Sequence, residues 1–179
     1  NHQVSYPPHV EAAIAAIEQQ CPQAKPCVLC DYVEVLDPQW QMAIEGYLGG
    51  ARFSIIVEPE YEAQAIRIVR AIKGKRNRAK IIQGAKAQRD ASKLNLSKDS
   101  IVEVMAFEHK IAQYFIQASY GAVVRVDNEE NLKQTARGLT ADGLGSGSYS
   151  LFRCDLNDGQ LVFGQGARER ALSAKQSEL

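Results

Sequence analysis

The chain has 179 residues, 45% hydrophobic and 23% charged, which excludes a disordered tail, a collagen-like fibre and a low-complexity linker. Lys+Arg and Asp+Glu both total 21, so the net charge is zero; a uniformly basic nucleic-acid coat is excluded, but a local basic patch is not. No apolar run approaches the ~18 residues that span a bilayer, so no transmembrane helix is expected.

This length suits one ordinary domain or two small halves sharing a core, and it needs neither metal nor disulfide to fold. The first residues carry no signal-peptide pattern. Four cysteines in a chain this long point to a reducing cytosol. The chain starts at Asn1 rather than Met, and its last stretch, Ala167–Leu179, reads as a helix cut off mid-course. The expectation is a domain excised from a longer protein.

In chain order, Val10, Ile14 and Ile17 stand at helical spacing between Pro7-Pro8 and Pro22. Val28 to Leu36 is rich in β-formers and reads as one strand. Asp37-Pro38 opens a helix, with Asp as cap and Pro in the first turn; it runs through Trp40, Ile44 and Leu48 and stops at Gly49-Gly50. Arg52 to Val57 reads as a strand. Glu58-Pro59-Glu60 starts a helix with Ala65, Ile66, Ile68, Val69 and Ile72 as its apolar side, and Lys80–Gln83 reads as a further strand. Residues 84–100 are polar and aperiodic and read as a connection between halves.

Ile101 to Met105 reads as a short strand or loop, and Phe107 to Ser119 as a helix with Phe107, Ile111, Tyr114, Phe115 and Ala118 on one side. Gly121 to Val126 is a strand, and Asp127-Asn128-Glu129 opens a helix reaching about Arg137. A glycine-rich loop at Gly143–Gly147 follows. Tyr149–Cys154 and Gln160–Phe163 read as strands around the turn Asn157-Asp158-Gly159, and a last helix follows Gly166. The order helix, glycine, strand, acidic helix start occurs twice, with strand ends at Val57 and Val126. The offset of 126 − 57 = 69 residues is too long for a solenoid unit. It predicts two related α/β lobes with mixed sheets and flanking helices.

Four constellations could carry chemistry. Cys27 and Cys30 form a Cys-x-x-Cys pair, but a second pair at matching spacing is missing; Cys21 and Cys154 could complete a zinc site only by folding together. Small buried hydrophobes are the better reading. Among His2, His9 and His109, the last sits near a helix start and could act as a base, but no His follows at i+4. A surface helix position is the better reading. Asp142-Gly-Leu-Gly-Ser-Gly-Ser148 could approach a phosphate through backbone N–H groups, yet it lacks the Lys of a Walker loop and the spacing of a dinucleotide fingerprint. Its glycines more plausibly allow close backbone approach, within the fold or across a subunit boundary. Lys73, Lys75, Arg76, Arg78, Lys80, Lys86 and Arg89 place seven positive charges in a span of 17 residues free of Asp and Glu. That pattern suits salt-sensitive contact with double-stranded DNA phosphates; a solvated helix end and loop is the plain alternative. No aromatics interleave there, so single-strand stacking is not indicated.

Over residues 28–165 the sequence resembles the hinge domain of SMC proteins, the dimerisation module between two long coiled-coil arms. In the first half the resemblance rests on Trp40, Ile44-Glu45, Leu48-Gly49-Gly50 and Phe53–Val57, like the ALGG turn that precedes a strand in hinges. In the second it rests on Gly121–Asp127 and on Leu139-Thr140-Ala-Asp142-Gly143-Leu-Gly145-Ser-Gly147, similar to the VTLDG stretch and its glycine-rich turn. The usual final Gly-Gly pair is replaced by spaced glycines and Tyr149. Asp37-Pro38-x-Trp40 and Glu45-Gly-Tyr-Leu-Gly look most like the divergent bacterial SMC-like ATPases, such as MukB- and MksB-like condensins and the Wadjet plasmid-defence ATPase JetC.

The resemblance implies a symmetric homodimer in which the first lobe of one protomer pairs with the second lobe of the other. It places Leu48, Gly49, Gly50, Gly143, Gly145 and Gly147 at the interface. It also implies no catalysis and no cofactor in this fragment. ATP and Mg are expected at distant heads of a parent that translocates along DNA with a kleisin and accessory subunits, in the cytoplasm at nucleoid or plasmid and not at a membrane. The implied layout is a lead-in over 1–27, lobe 1 over 28–83, a connector over 84–100, lobe 2 over 101–163 and the start of a coiled-coil arm over 164–179. The rival reading is a small phosphate- or nucleotide-binding enzyme using the 143–147 loop, with His109 or Asp142 as acid or base.

Overall fold

The computed structural model describes residues 5–177. Helix α1 (Pro8–Gln20) buries Val10, Ala13 and Ile17 and ends before Pro22. The predicted strand over 28–36 is two strands in two sheets. Strand β1 (Cys27–Val28) and strand β2 (Val33–Val35) are separated by a 3-10 turn over Leu29–Tyr32, which takes Leu29 and Cys30 into the core. Helix α2 (Pro38–Leu48) forms as its punctuation requires: the Asp37 carboxylate accepts the Gln39 N–H at 3.1 Å, and Gly49 ends the helix with φ +54°. After it, only β3 (Ile55–Ile56) of the predicted strand 52–57 is extended, because Gly49–Phe53 coils as a 3-10 turn.

Strand β3 pairs antiparallel with β1, and Ile81 adds a single parallel bridge to Ile55 where a strand over 80–83 was expected. Helix α3 (Glu62–Arg70) buries Ala65, Ile68 and Val69 but turns Ile66 outward. The connecting segment contains a helix, α4 (Gly84–Ala91), packed on α5 (Lys110–Tyr120). Its contact side is made of small residues, and a Cβ on Gly84 would stand 2.8 Å from the Ile111 side chain.

Strand β4 (Met105–Phe107) pairs antiparallel with β2, joining the two halves of the sequence, so Phe107 belongs to a strand and not to α5. Four strands form the largest sheet, in the order β5 (Val124–Val126), β6 (Gly138–Thr140), β7 (Leu144–Gly147), β8 (Ser150–Arg153). The first pair is parallel and the others antiparallel. Helix α6 (Glu129–Leu132), capped by Asn128, is shorter than expected because the chain must turn back by Gly138 to lie parallel to β5.

Of the expected glycine-rich loop at 143–147, residues 144–147 are strand β7, and the expected strand at 160–163 is a 3-10 turn over Asp158–Gln160 followed by chain that joins no sheet and turns again before α7. Helix α7 (Gln165–Ser177) closes the described chain. One apolar core runs from Val10 to Phe163 and draws on both halves. The α/β class with small mixed sheets and flanking helices is what the sequence indicated. Among the described residues no helix is long and apolar enough to cross a membrane.

Candidate dimer interface

The β7–β8 hairpin is closed by the two-residue turn Ser148-Tyr149, with Gly147 opposite Ser150. Both turn residues have positive φ, 50° and 62°, the type I′ geometry that suits strand twist and usually recruits Asn and Gly. A side chain in this left-handed region costs about 1–2 kcal/mol per residue. Tyr149 is nevertheless fully exposed, at 109%.

Strand β8 is the outer strand of its sheet. Cys154 N–H donates to Gly143 O at 2.7 Å, so by antiparallel alternation Phe152 and Ser150 turn their backbone groups toward β7, and Leu151 and Arg153 turn theirs outward. All four β8 residues are exposed, Leu151 at 62%. An apolar edge with open hydrogen-bonding groups is a template for another strand.

The glycines in and before β7 are explained by β8, by the chain that follows it and by Tyr47 of α2. Tyr47 reaches over the sheet and its hydroxyl donates to Ser146 O at 2.8 Å. A Cβ on Gly145 would lie 2.7 Å from Phe152, 2.8 Å from Cys154 Sγ and 3.1 Å from Tyr47, and one on Gly147 would lie 3.0 Å from the Tyr47 hydroxyl. Gly143, at φ +100°, sits against Asp155. These three glycines therefore make room inside one protomer. No loop remains there to cradle a phosphate, and Thr140 Oγ1 donates to the Asp142 carboxylate. The position that sequence reasoning missed is Gly46, whose Cβ would fall 1.4 Å from Cys154 O; helix α2 lies flush on the strand end. Tyr47 continues into an aromatic ridge with Phe152 (5.4 Å) and Tyr120 (6.3 Å). Arg137 lies over both tyrosines and donates to Ser119 O at 2.8 Å.

Beside the ridge, with Tyr120 in its wall, is a cleft of about 470 Å³ lined by Ala51, Ser54, Lys80–Gln83, Lys86, Ala87, Asp90, Phe115 and Ala118–Tyr120. Gly50 stands beside it. Leu48 is core, 4% exposed, and Gly49 is explained by its φ. Gly50 has no such reason: its backbone is ordinary and a Cβ there would meet nothing within 4 Å. Ile55 N–H donates to Lys80 O and Ile82 N–H to Ile55 O, both at 2.9 Å, so Ile81 directs its own N–H and C=O away from β3. The first half thus also offers an open backbone edge.

Lys73, Lys75, Arg76, Arg78, Lys80, Lys86 and Arg89 are all exposed, and none is in an ion pair among the described residues. The first four lie in the loop around the 3-10 turn Gly74–Arg76, which packs on α1; Lys80 and Lys86 border the cleft and Arg89 is on α4. The run is solvated throughout and is spread over this loop, the cleft border and α4.

The root of α7 is fixed by a buried carboxylate. Glu45 is wholly buried and accepts from Arg52 Nη1 (2.8 Å), Gln41 Nε2 (3.0 Å), Val162 N (2.8 Å) and Phe163 N (3.2 Å). A second contact lies beside it: Gly166 abuts Asp31 O, the Tyr6 hydroxyl donates to the Asp31 carboxylate, and Arg170 lies over the Tyr32 ring at 4.5 Å and 3.2 Å from Glu108. Burial raises the Asp31 carboxyl above its usual range, although the Tyr6 hydrogen bond opposes this.

The remaining candidates are structural. All four cysteines are free, and burial pushes the Cys27 and Cys154 thiols up to about 11, where a thiolate ligand or nucleophile is disfavoured. His109 caps α5, its Nδ1 accepting the Ile111 N–H at 3.1 Å, and burial lowers its pKa. The pKa of His9 is lowered by burial and then by Arg78. His2 lies outside the described residues.

No family model and no curated protein matches the chain. Solved structures do. The Pyrococcus furiosus Smc hinge domain with an extended coiled coil superposes with a TM-score of 0.64 at 19% identity, over 94% of this chain and 62% of that one. The asymmetric dimer of the Geobacillus stearothermophilus SMC hinge domain gives 0.65 at 18% identity, over 97% and 75%. The S. pombe Smc5/6 hinge domain gives 0.58 at 12% identity, over 87% and 67%. The chain spans less than two thirds of the first of these. It has the fold of an SMC hinge domain.

Proposed function

We propose that this chain is the hinge of an SMC-type ATPase and that it joins two copies of itself. The observation that carries the reading is the pair of open backbone edges, β8 in the second half and Ile81 in the first, beside a glycine that nothing in one protomer requires. In a twofold dimer the β8 edge of each copy pairs with the Ile81 edge of the other, which satisfies both sets of N–H and C=O groups and covers Leu151. Gly50 then stands where the two backbones meet. The SMC hinge fold supports this reading, since one of the similar structures is itself a hinge dimer.

The parent would be a ring-shaped particle with ATP and Mg at distant heads and a kleisin with accessory subunits, acting on DNA in plasmid defence or in chromosome condensation and partition. Sedimentation over a wide concentration range tests the dimer: a species of single-chain mass throughout removes the reading. Gly50→Leu should leave unfolding within about 0.5 kcal/mol of the parent, as exposed substitutions do, and weaken dimerisation at least tenfold. Equal dimer affinity would show that Gly50 is not at the junction.

The exposed cationic run over 73–89 is the DNA contact in this proposal. Anisotropy of a labelled duplex titrated over a salt series should give a log–log slope near −0.9 for each phosphate contacted. Changing Lys75 and Arg76 to Glu should flatten that slope by about 2. A slope that does not move excludes the role.

A further inference from the structure

We infer that Tyr149 is the anchor of the dimer and that it seats in the partner's cleft beside Gly50; this rests on the dimer reading above and adds its specificity. Three observations converge. Tyr149 is a large aromatic held in the left-handed region at φ 62° with its whole side chain in solvent. Nothing within the protomer repays that arrangement, and glycine or asparagine would close the same turn without strain.

The cleft of about 470 Å³ is a recess of matching chemistry. Ala51, Ile81, Ala87 and Phe115 offer apolar walls, and Ser54, Gln83 and Asp90 offer partners for a phenol hydroxyl. Aromatic side chains with one polar tip are the residues that dominate interface energetics when they fill such pockets.

The third observation is placement. Protrusion and recess are joined by a run of packed aromatics: the hairpin meets the ridge through Phe152 and Tyr47, and the ridge reaches the cleft wall through Tyr120. A twofold interface is self-complementary, so a knob and a hole on the same face, on either side of the axis, are what it requires. Pairing of β8 with the partner's Ile81 edge carries the hairpin tip to the cleft that Ile81 borders. The ridge, with Arg137 across it, lies between the two symmetry-related insertions.

The test separates this inference from the reading it rests on. Tyr149→Gly removes the anchor and relieves the turn. It should raise the dimer dissociation constant at least about 30-fold, while the monomer, measured well below both dissociation constants, melts no lower than the parent. Tyr149→Phe should fall between the two. A photoreactive benzoylphenylalanine at position 149, in a mixture of isotopically light and heavy chains, should crosslink between chains to peptides holding residues 51–54, 80–90 or 115–120. A parent that dimerises with Tyr149→Gly as tight as the parent, or crosslinks that fall elsewhere, overturns the anchor alone. A parent that never dimerises overturns the dimer itself.

Discussion

Replacing Glu45 with alanine should lower the unfolding free energy by about 3–5 kcal/mol, the cost of leaving a buried charge without its partner. The side chain is fully buried and receives four donors, so the change strands more than Arg52. The N–H groups of Val162 and Phe163 lose their acceptor in a place water does not reach, at about 1–3 kcal/mol for each group. Relaxation of the short segment around them returns part of that cost. Glu45→Gln keeps an acceptor oxygen and gives up the charge, so it should fall between alanine and the parent. Urea denaturation gives the energies. Amide hydrogen exchange gives the location: protection at Val162 and Phe163 should collapse first. A Glu45→Ala protein as stable as the parent would mean that the carboxylate is not the clamp its geometry indicates.

The second large effect is at Gly46. A methyl group there would lie 1.4 Å from Cys154 O and 2.4 Å from its carbonyl carbon. The methyl is fixed to the helix backbone and the atoms it meets are main chain, so no rotamer change relieves the contact and α2 must move away from the end of β8. Alanine is about 1 kcal/mol better than glycine in a helix interior, which opposes the effect. Overpacking costs about 1–3 kcal/mol and sometimes more. With backbone on both sides the upper end applies, and Gly46→Ala should be net destabilising by about 2 kcal/mol or more. The urea midpoint measures this. A midpoint unchanged from the parent would require that helix and strand are not in register as described.

These two positions show what the sequence discloses and what it withholds. The start and stop of α2 are legible because their chemistry is local: Asp37 caps two residues on, and Gly49 supplies the backbone angle at which the helix ends. Glu45 and Gly46 are legible as letters in a family-like string, but the backbone they meet is more than a hundred residues away: Val162 is 117 residues on from Glu45, and Cys154 lies against Gly46. No spacing rule connects them. Helix α4 escapes a search for large apolar residues because it packs with Gly84 and alanines. The strand over 28–36 is misread because periodicity does not reveal where a β-rich run coils. The candidate site divides in the same way. The cationic run is visible from composition alone. The glycines at 143–147 stand out in the sequence, but Tyr47, which crowds Gly145 and Gly147, comes from a helix far away in sequence. Tyr149 departs from the family-like pattern, and only its exposure and backbone angle give that departure a physical meaning.

The contact at Asp31 has a mechanical consequence. Tyr6, from the segment that enters the body, and Gly166, at the root of the helix that leaves it, meet on the same residue. A load applied along α7 is delivered to Asp31 and, a few residues upstream, to the Glu45 carboxylate, and the incoming segment shares the first of these bearings. Swinging one end therefore drags the other. Displacement at either contact is delivered next to β1 and β2 rather than at the hairpin on which the copies are proposed to meet.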